Sequence, residues 1–286
     1  MKRDRIILLH IAKTGGSTVR QLIGRHYPQN QTINLISGNW RTNTVEVVER
    51  LKDMPDPLLV MGCSRFGLHA YLPDANDWTY VTVLCHPIRH LMSQYSNITS
   101  SQNPSERQLR LREFDIVTFA RRFGYGERMT RWLAGLGMTD DPNKTTKDPK
   151  PLPADALERA KHNLRTRFAC VGLLEEFPAS ALMMQQALGW KSAHYTVENV
   201  PRSEGGRAAV PPDIYAQLEK ACAADLALYH FVQTLFEAQK QAYGPALERD
   251  IANLQRKNEW YTRIERVRRL LTKRGLKQAF KRIRRG

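Results

Sequence analysis

The sequence contains little that would tie it to an oxidising compartment or to a bilayer. Its four cysteines, Cys63, Cys85, Cys170 and Cys222, show neither close pairing nor the spacing of metal ligands. A disulfide framework is therefore not expected, and a reducing, cytoplasmic compartment is the simpler interpretation. No run of the chain approaches the roughly 20 apolar residues that a membrane-spanning helix needs.

Acidic residues are also scarce. Asp and Glu number 28 against 44 Lys and Arg, so the formal charge is +16 and the pI is near 9.9. This excess predicts an anionic partner, such as nucleic acid, an acidic polysaccharide, a phosphorylated small molecule or an anionic membrane. The length of 286 residues is enough to bury a full core in one large domain.

Short apolar runs alternate with segments of helical periodicity. The runs "RIILLHI" (5–11), "PLLVMGC" (57–63), "TYVTVLC" (79–85) and "FACVGLL" (168–174) predict strands, and a helix is expected to begin near Pro87. This alternation predicts an α/β fold with a P-loop-like parallel sheet flanked by helices. Ligands of such sheets bind at the carboxyl ends of the strands, where Lys13, Cys63 and Cys85 should lie.

The second half of the chain contains segments of a different kind. A helical insert is expected over 106–138, a polar loop over 139–153, an irregular stretch over 197–212 and a long helix over 214–243.

The tail is strongly basic. From 249 to 286 there are 14 Lys or Arg against three acids, with apolar residues at roughly helical spacing. This pattern predicts a basic amphipathic helix appended to an α/β domain, with domains over 1–245 and 246–286. Such a helix is typical of a peripheral contact with an anionic membrane surface.

The segment "HIAKTGGST" (10–18) follows the first strand and opens a helix. A glycine turn at a helix start directs backbone N–H groups and the helix dipole at an anion, and nearby hydroxyls and a lysine add to that site. The residues that can contact an anion are Lys13, Thr14, Gly15, Gly16, Ser17 and Thr18. A nucleoside triphosphatase would need its lysine after the glycines, whereas here it precedes them.

This segment resembles the 5′-phosphosulfate loop of carbohydrate sulfotransferases, especially those similar to heparan sulfate 2-O-sulfotransferase. Further parts of that family are similar, in the same order, to the segments "GCSRFGLHAYLP", "YVTVLCHPIRHLMSQY", "RMTRWLAGLG", "RFACVGLLEEF" and "ADLALYHFV". The resemblance therefore covers about 6–235. It implies 3′-phosphoadenosine 5′-phosphosulfate as the donor, a hydroxyl of a carbohydrate or glycolipid as the acceptor, and no metal.

The resemblance also implies roles for individual residues. Lys13 would stabilise the leaving phosphate oxygen, and residues 13–18 would hold the 5′-phosphosulfate. Arg89 and Ser93, one helical turn apart, would hold the 3′-phosphate. His69 would take the proton of the acceptor hydroxyl.

Two positions depart from the family pattern. Cys85 stands where the family has an arginine that binds the 3′-phosphate, and losing such a contact removes a charge-assisted bond. Arg202 and Arg207 are candidates to restore that charge. Cys63 stands where the family has its expected base, which leaves His69 as the candidate, with Glu127 and His86 as alternatives.

Other interpretations stay open at this stage. Cys63 and Cys85 favour a catalytically weak or inactive relative that keeps the fold for binding. A P-loop kinase would need a lysine after the glycines and a carboxylate for Mg²⁺. Zinc binding by the cysteines and by His69 and His86 lacks the usual ligand spacing, and no aromatic and basic platform indicates nucleic acid.

Overall fold

Five strands form one parallel sheet in the computed structural model, which describes residues 5–35, 40–54 (backbone alone over 40–46), 56–100, 112–136, 151–196 and 210–264. The strands are β1 (Arg5–Leu9), β2 (Thr32–Leu35), β3 (Leu59–Gly62), β4 (Trp78–Leu84) and β5 (Phe168–Leu173). Their order in the sheet is β2-β3-β1-β4-β5. The fold is therefore α/β with an all-parallel sheet, as the alternation of apolar runs predicted.

The central strand β1 is covered on both faces. Residues Ile6, Ile7, Leu8 and Leu9 are each at most 1% exposed. Strands that are buried on both sides have continuous apolar sequences, which is why these runs were visible. Leu9 pairs with Gly62 of β3, and Leu8 pairs with Val81 of β4. The carboxyl ends of β1, β3 and β4 consequently lie side by side at one edge.

The helices flank this sheet. They are α1 (Gly16–Gly24), α2 (Trp40–Asp53), α3 (Pro87–Thr99), α4 (Ile116–Arg122), α5 (Arg128–Leu133), α6 (Ala156–Arg167), α7 (Phe177–Ala187), α8 (Pro212–Ala221), α9 (Ala223–Tyr243) and α10 (247–264). The start of α3 at Pro87 agrees with the prediction. The long helix expected over 214–243 is instead two helices, because Cys222 interrupts the helical backbone at φ −102° and ψ 13°.

A second, smaller core joins α3, α4 and α8. Ile88 and Leu91 of α3 contact a cluster that includes Phe119 and Leu218. The insert expected over 106–138 thus contributes two helices, α4 and α5, within its described part. Most of the loop expected over 139–153 lies outside the described residues. So does most of the stretch over 197–212, with Arg202 and Arg207.

Helix α10 covers the first part of the predicted basic tail. Leu247 and Leu254 are each 5% exposed and belong to the same core as the sheet. The side-chain oxygen of Asn258 accepts a hydrogen bond from the backbone N–H of Tyr195 at 2.9 Å. Between Leu247 and Asn258 this helix therefore packs against the α/β domain, whereas the sequence predicted an appended helix. The protein core covers Leu254 of the apolar stripe, whereas Ile264 is 41% exposed.

The rest of that tail, 265–286, lies outside the described residues. Among the helices that the structure describes, none is both long enough and apolar enough to cross a bilayer.

Candidate functional site

The order of the strands puts a topological switch point between the carboxyl ends of β1 and β4, where open parallel sheets form a cleft for ligands. From β1 the chain continues to β2 at one end of the sheet, and from β4 it continues to β5 at the other end. The connections that follow these two adjacent strands therefore run in opposite directions. Open parallel sheets bind ligands at the carboxyl ends of such a strand pair. The turn that follows β1 and the start of α3 after β4 both lie at this point.

The turn after β1 has a tightly wound backbone. Lys13 and Gly15 both have left-handed conformations, with φ of 77° and 79°. This region is uncommon for a residue with a side chain, so the surrounding turn must hold Lys13 there. Thr14 is fully buried, and its Oγ1 donates to the carbonyl of Ile11 at 2.8 Å. Its hydroxyl thus closes the turn, while the Lys13 side chain is exposed.

Both glycines of the turn lie where a side chain would collide with the core. A Cβ on Gly16 would lie 2.2 Å from Nε2 of His10, and a Cβ on Gly15 would lie 2.7 Å from Cδ1 of Leu174. His10 is buried, and burial lowers its pKa to about 4, with the positive charges of Arg20 and Arg128 acting in the same direction. Packing against His10 therefore requires glycine at position 16, and the left-handed backbone favours glycine at position 15, in addition to any role in binding.

The start of α1 offers unpaired donors on the outer side of this turn. The first N–H groups of a helix, here those of Gly16, Ser17 and Thr18, have no acceptor within the helix. Gly15 occupies the N-cap position without a side-chain cap. Ser17 is exposed and Thr18 is half-buried. These groups lie beside Lys13, as an anion site requires.

Helix α3 is fastened to the turn by two side chains that the sequence interpretation missed. Nε2 of His90 lies 3.0 Å from the carbonyl oxygen of Ala12, and Nε2 of Gln94 donates to the same oxygen at 2.7 Å. His90 is 1% exposed, and burial lowers its pKa to about 3, so it is neutral at pH 7 and donates from Nε2. A polar pair four residues apart on a buried helix face was the available signal.

Lys13 extends toward α3. Its Nζ lies 3.5 Å from Oδ1 of Asn97, which follows Ser93 by one helical turn. Ser93 itself is half-buried on the same helix. The structure thus brings the predicted phosphosulfate turn and part of the predicted 3′-phosphate segment to the same place.

Arg89 has an acidic neighbour. Its side chain is 53% exposed, and its Nη1 lies 3.9 Å from Oε1 of Glu175. The same carboxylate oxygen accepts a hydrogen bond from the backbone N–H of His86 at 2.8 Å. Cys85 is buried, and burial raises the pKa of its thiol, so it supplies no charge. This end of the site is accordingly less positive than the family pattern implies.

His69 is engaged in an aromatic cluster. Its Nδ1 lies 2.8 Å from the hydroxyl oxygen of Tyr80, which also accepts from the backbone N–H of His69 at 3.1 Å. Phe66 and Phe168 pack on the same tyrosine ring. Burial is the main cause that lowers the pKa of His69, and the charge acting on it is that of Arg167. These contacts stabilise the loop, and none of the described hydrogen bonds joins His69 to the turn.

Two arginines outside the predicted set contribute charge to the site. Burial raises the pKa of Cys63, at the end of β3, while the charges of Arg128 and Arg20 lower it. Arg128 lies over the rings of Tyr125 and Trp132. The sequence interpretation overlooked Arg128, although aromatic residues three positions before it and four after it were a usable signal.

The two alternative bases are occupied. Glu127 accepts from Nη2 of Arg131 at 2.7 Å. His86 packs edge-on against Tyr229, and burial is the largest cause lowering its pKa. In the part of the chain that the structure describes, no three His, Cys, Asp or Glu side chains form a group that could hold a metal ion.

A cavity of about 240 Å³ is lined by the segment that directly follows Cys63 in the sequence. Its walls are formed by Ser64, Arg65, Phe66, Gly67, Leu68, Tyr71 and Gly135. The Oγ of Ser64 is buried and has no hydrogen-bond partner among the described residues. The cavity is smaller than the roughly 300 Å³ at the lower end of sites for drug-sized ligands, so it suits one ring-sized group.

Comparison of the sequence with protein-family models finds no match, and comparison with curated proteins finds no significant relative.

Proposed function

We propose that this chain is a sulfotransferase that moves a sulfuryl group from 3′-phosphoadenosine 5′-phosphosulfate to a hydroxyl of a carbohydrate or glycolipid. The observation that carries the proposal is the turn over 13–18 between β1 and α1, in which Lys13 precedes the glycine pair and extends to Asn97 of α3. That arrangement suits a ligand with two anionic ends. The P-loop-like character of the sheet is part of the same proposal.

The two ends of the donor would bind different elements. The N–H groups at the start of α1 and the ammonium group of Lys13 would hold the 5′-phosphosulfate. Arg89 and Ser93 would hold the 3′-phosphate from α3. The turn and the start of α1 suit the 5′-phosphosulfate well, since Gly15 is uncapped and Lys13 is exposed. Helix α3 suits the 3′-phosphate less well, since Glu175 lies near Arg89.

The reaction would be an in-line displacement at sulfur. The bond from sulfur to the bridging oxygen of the donor breaks as the bond from the acceptor oxygen to sulfur forms, and positioning and charge stabilisation supply most of the rate. Lys13 would stabilise the negative charge that develops on the leaving phosphate oxygen. The acceptor hydroxyl would approach through the cavity lined by the segment that follows Cys63.

The proton of the acceptor needs a base. His69 is the candidate because Tyr80 holds its ring through Nδ1, and Nε2 accepts the proton in the tautomer in which Nδ1 donates to the tyrosine oxygen. Its lowered pKa keeps the ring neutral near pH 7, as a proton acceptor requires. In the sequence His69 lies between Leu68 and Tyr71, two of the residues that line the cavity.

A second candidate function is nucleotide binding without efficient transfer. The position of Glu175 near Arg89, together with the buried and uncharged Cys85, favours it. A P-loop kinase is the weaker alternative, because no lysine follows the glycines.

Calorimetric titration with 3′-phosphoadenosine 5′-phosphate, beside ATP with Mg²⁺, separates these possibilities. We expect the bisphosphate to bind at least about tenfold more tightly, a difference of about 1.4 kcal/mol. Lys13→Ala should weaken that binding, whereas Lys52→Ala, at an exposed pair with Glu49 on α2, should leave it unchanged. Tighter binding of ATP would end the sulfotransferase proposal. Binding without transfer to any of a panel of glycans would identify a binding protein.

We place the enzyme in the cytoplasm and assign its basic tail to an anionic membrane surface. Residues 265–286 contain ten Lys or Arg against one acid. Trp260 and Ile264, just before this stretch, are 58% and 41% exposed. Exposed apolar residues next to a dense positive charge are typical of segments that contact the interface of an anionic bilayer.

A further inference from the structure

Arg128 is held in a fixed position at the start of α5. Its guanidinium carbon lies 5.1 Å from the ring centre of Tyr125 and 4.8 Å from that of Trp132. A guanidinium stacked on two rings loses much of the freedom that a surface arginine has, so less entropy is lost when it binds a ligand. Arg128 is thereby preorganised.

Arg128 also has no anionic partner among the described residues. Its Nε is buried and makes no hydrogen bond within that part of the chain. The nearest carboxylate in sequence, Glu127, pairs with Arg131 instead. The buried carboxylate of Asp225 accepts hydrogen bonds from the backbone N–H groups of Met129 and Thr130, at 3.0 and 2.8 Å. Glu127 and Asp225 thus bind other groups, so the positive charge of Arg128 is available to a ligand.

The charge of Arg128 acts on the candidate site. After burial, it is a further cause that lowers the pKa of His10 and of His90, and it opposes the rise that burial produces in the pKa of Cys63. The packing agrees, because the carbonyl of Trp132, one turn after Arg128 on α5, accepts a hydrogen bond from the backbone N–H of Phe66 at 2.9 Å, in the segment that follows β3. His10 and Cys63 directly follow the paired strands β1 and β3, and His90 on α3 contacts the carbonyl of Ala12 in the turn after β1. Arg20 of α1 acts on two of them as well. The cleft therefore receives positive charge from both α1 and α5.

We propose that Arg128 binds an oxyanion in this cleft, opposite the turn over 13–18. The ligand is a sulfate-like or carboxylate group with at least two acceptor oxygens, which matches the donors of a guanidinium. It comes from one of two sources, the sulfuryl group of the donor or an acidic group on the acceptor. In the second case the acceptor is an acidic glycan. This inference rests on the proposed function for the identity of the ligand, but the anion site itself can be tested without it.

The first experiment uses Cys63 as a local reporter in the full-length chain. Cys85, Cys170 and Cys222 are buried, so alkylation by N-ethylmaleimide, followed by peptide mass spectrometry, reports mainly on Cys63. Sulfate is titrated against chloride at constant ionic strength. We expect sulfate to slow the labelling of Cys63 in the wild type. Arg128→Gln should raise the midpoint by about 10- to 100-fold, the loss expected for one charge-assisted hydrogen bond.

Two further variants make this result specific. Arg128→Lys keeps the charge but loses the planar fork, so it should give an intermediate midpoint. Arg121→Gln removes an exposed arginine of α4 and should match the wild type. Thermal unfolding of every variant shows whether the fold is kept. Sulfate without effect on wild-type labelling, or equal midpoints for the wild type and Arg128→Gln, would overturn the proposal.

The second experiment identifies the source of the oxyanion. Calorimetry compares 3′-phosphoadenosine 5′-phosphosulfate with 3′-phosphoadenosine 5′-phosphate, which lacks the sulfuryl group. If Arg128→Gln weakens binding of the first ligand alone, the anion belongs to the donor. If neither affinity changes and sulfate still protects Cys63 of the wild type when the bisphosphate is saturating, the anion belongs to the acceptor. A wild type that binds neither nucleotide would refute the proposed function, and the sulfate titration would still decide the role of Arg128.

Discussion

Gly16→Ala is expected to destabilise the protein although alanine is the better helix former. The new Cβ would lie 2.2 Å from Nε2 and 2.4 Å from Cε1 of His10. The imidazole is 6% exposed, and the backbone N–H of His10 donates to the carbonyl of Gly62 at 3.0 Å. The ring therefore cannot move away without disturbing the packing or the end of β1.

The magnitude follows from two opposing effects. Replacing a helical glycine by alanine stabilises a helix by about 0.5–1 kcal/mol. Adding a methyl group to a closely packed site costs about 1–3 kcal/mol. The free energy of unfolding should therefore fall by about 1–2 kcal/mol. Gly24→Ala is the matched control in the same helix, because its Cβ would lie 3.6 Å from Cε of Met61, an ordinary contact. That variant should be neutral or more stable by up to about 1 kcal/mol.

Denaturant unfolding of both variants and of His10→Ala tests this reasoning. The double variant His10→Ala, Gly16→Ala should be less destabilised than the sum of its single changes, because removing the imidazole makes room for the methyl group. Equal stability of Gly16→Ala and Gly24→Ala would show that the contact between Gly16 and His10 does not restrict this position. Strict additivity in the double variant would contradict the same argument.

Three further predictions concern the reaction, the pH dependence of stability and the tail. Lys13→Ala should lower the rate of sulfuryl transfer from labelled donor by about 100-fold. His69→Ala should lower turnover in the same assay without changing the affinity for the donor. Full activity of either variant would show that its residue takes no part in the reaction. Because burial keeps the pKa of His90 at about 3, against an ordinary 6.5, the unfolded chain binds more protons as the pH falls below 6.5, and at pH 4 the histidine should cost about 3 kcal/mol of stability. His90→Gln, whose amide can still donate to Ala12, should flatten this part of the pH profile of unfolding, and parallel profiles would argue against it. The full chain should sediment with anionic liposomes and not with neutral ones, and deleting 265–286 should abolish that sedimentation. The shortened chain should still fold, because Leu254 and Asn258 remain. Undiminished sedimentation would show that the membrane contact lies elsewhere.

The strands differed in how well they could be predicted. β1, β3, β4 and β5 were expected within a few residues, because buried parallel strands are apolar on both faces. The sequence interpretation did not find β2, which is four residues long, pairs with β3 alone and exposes Asn34. An edge strand of this length has too little periodicity to be distinguished from a loop.

Helical periodicity likewise could not show where helices end or what covers them. The apolar spacing continues through Cys222, so two helices were predicted as one. The stripe that contains Leu254 is equally suited to a membrane and to a protein core. The structure places Leu254 in the core and leaves Ile264 41% exposed.

By itself the sequence determined the parallel sheet, the glycine turn with its lysine, and the excess of positive charge. The sheet and the turn are encoded in short stretches of neighbouring residues, through hydrophobic periodicity and the backbone freedom of glycine. The excess of positive charge follows from the overall composition. The tertiary structure alone decided that His90 and Gln94 hold the carbonyl of Ala12, and that Glu175 lies beside Arg89. Both pairings join residues about 80 positions apart. They exist because the order of the strands puts β4 next to β1, with β5 beyond it, an outcome of packing the whole chain.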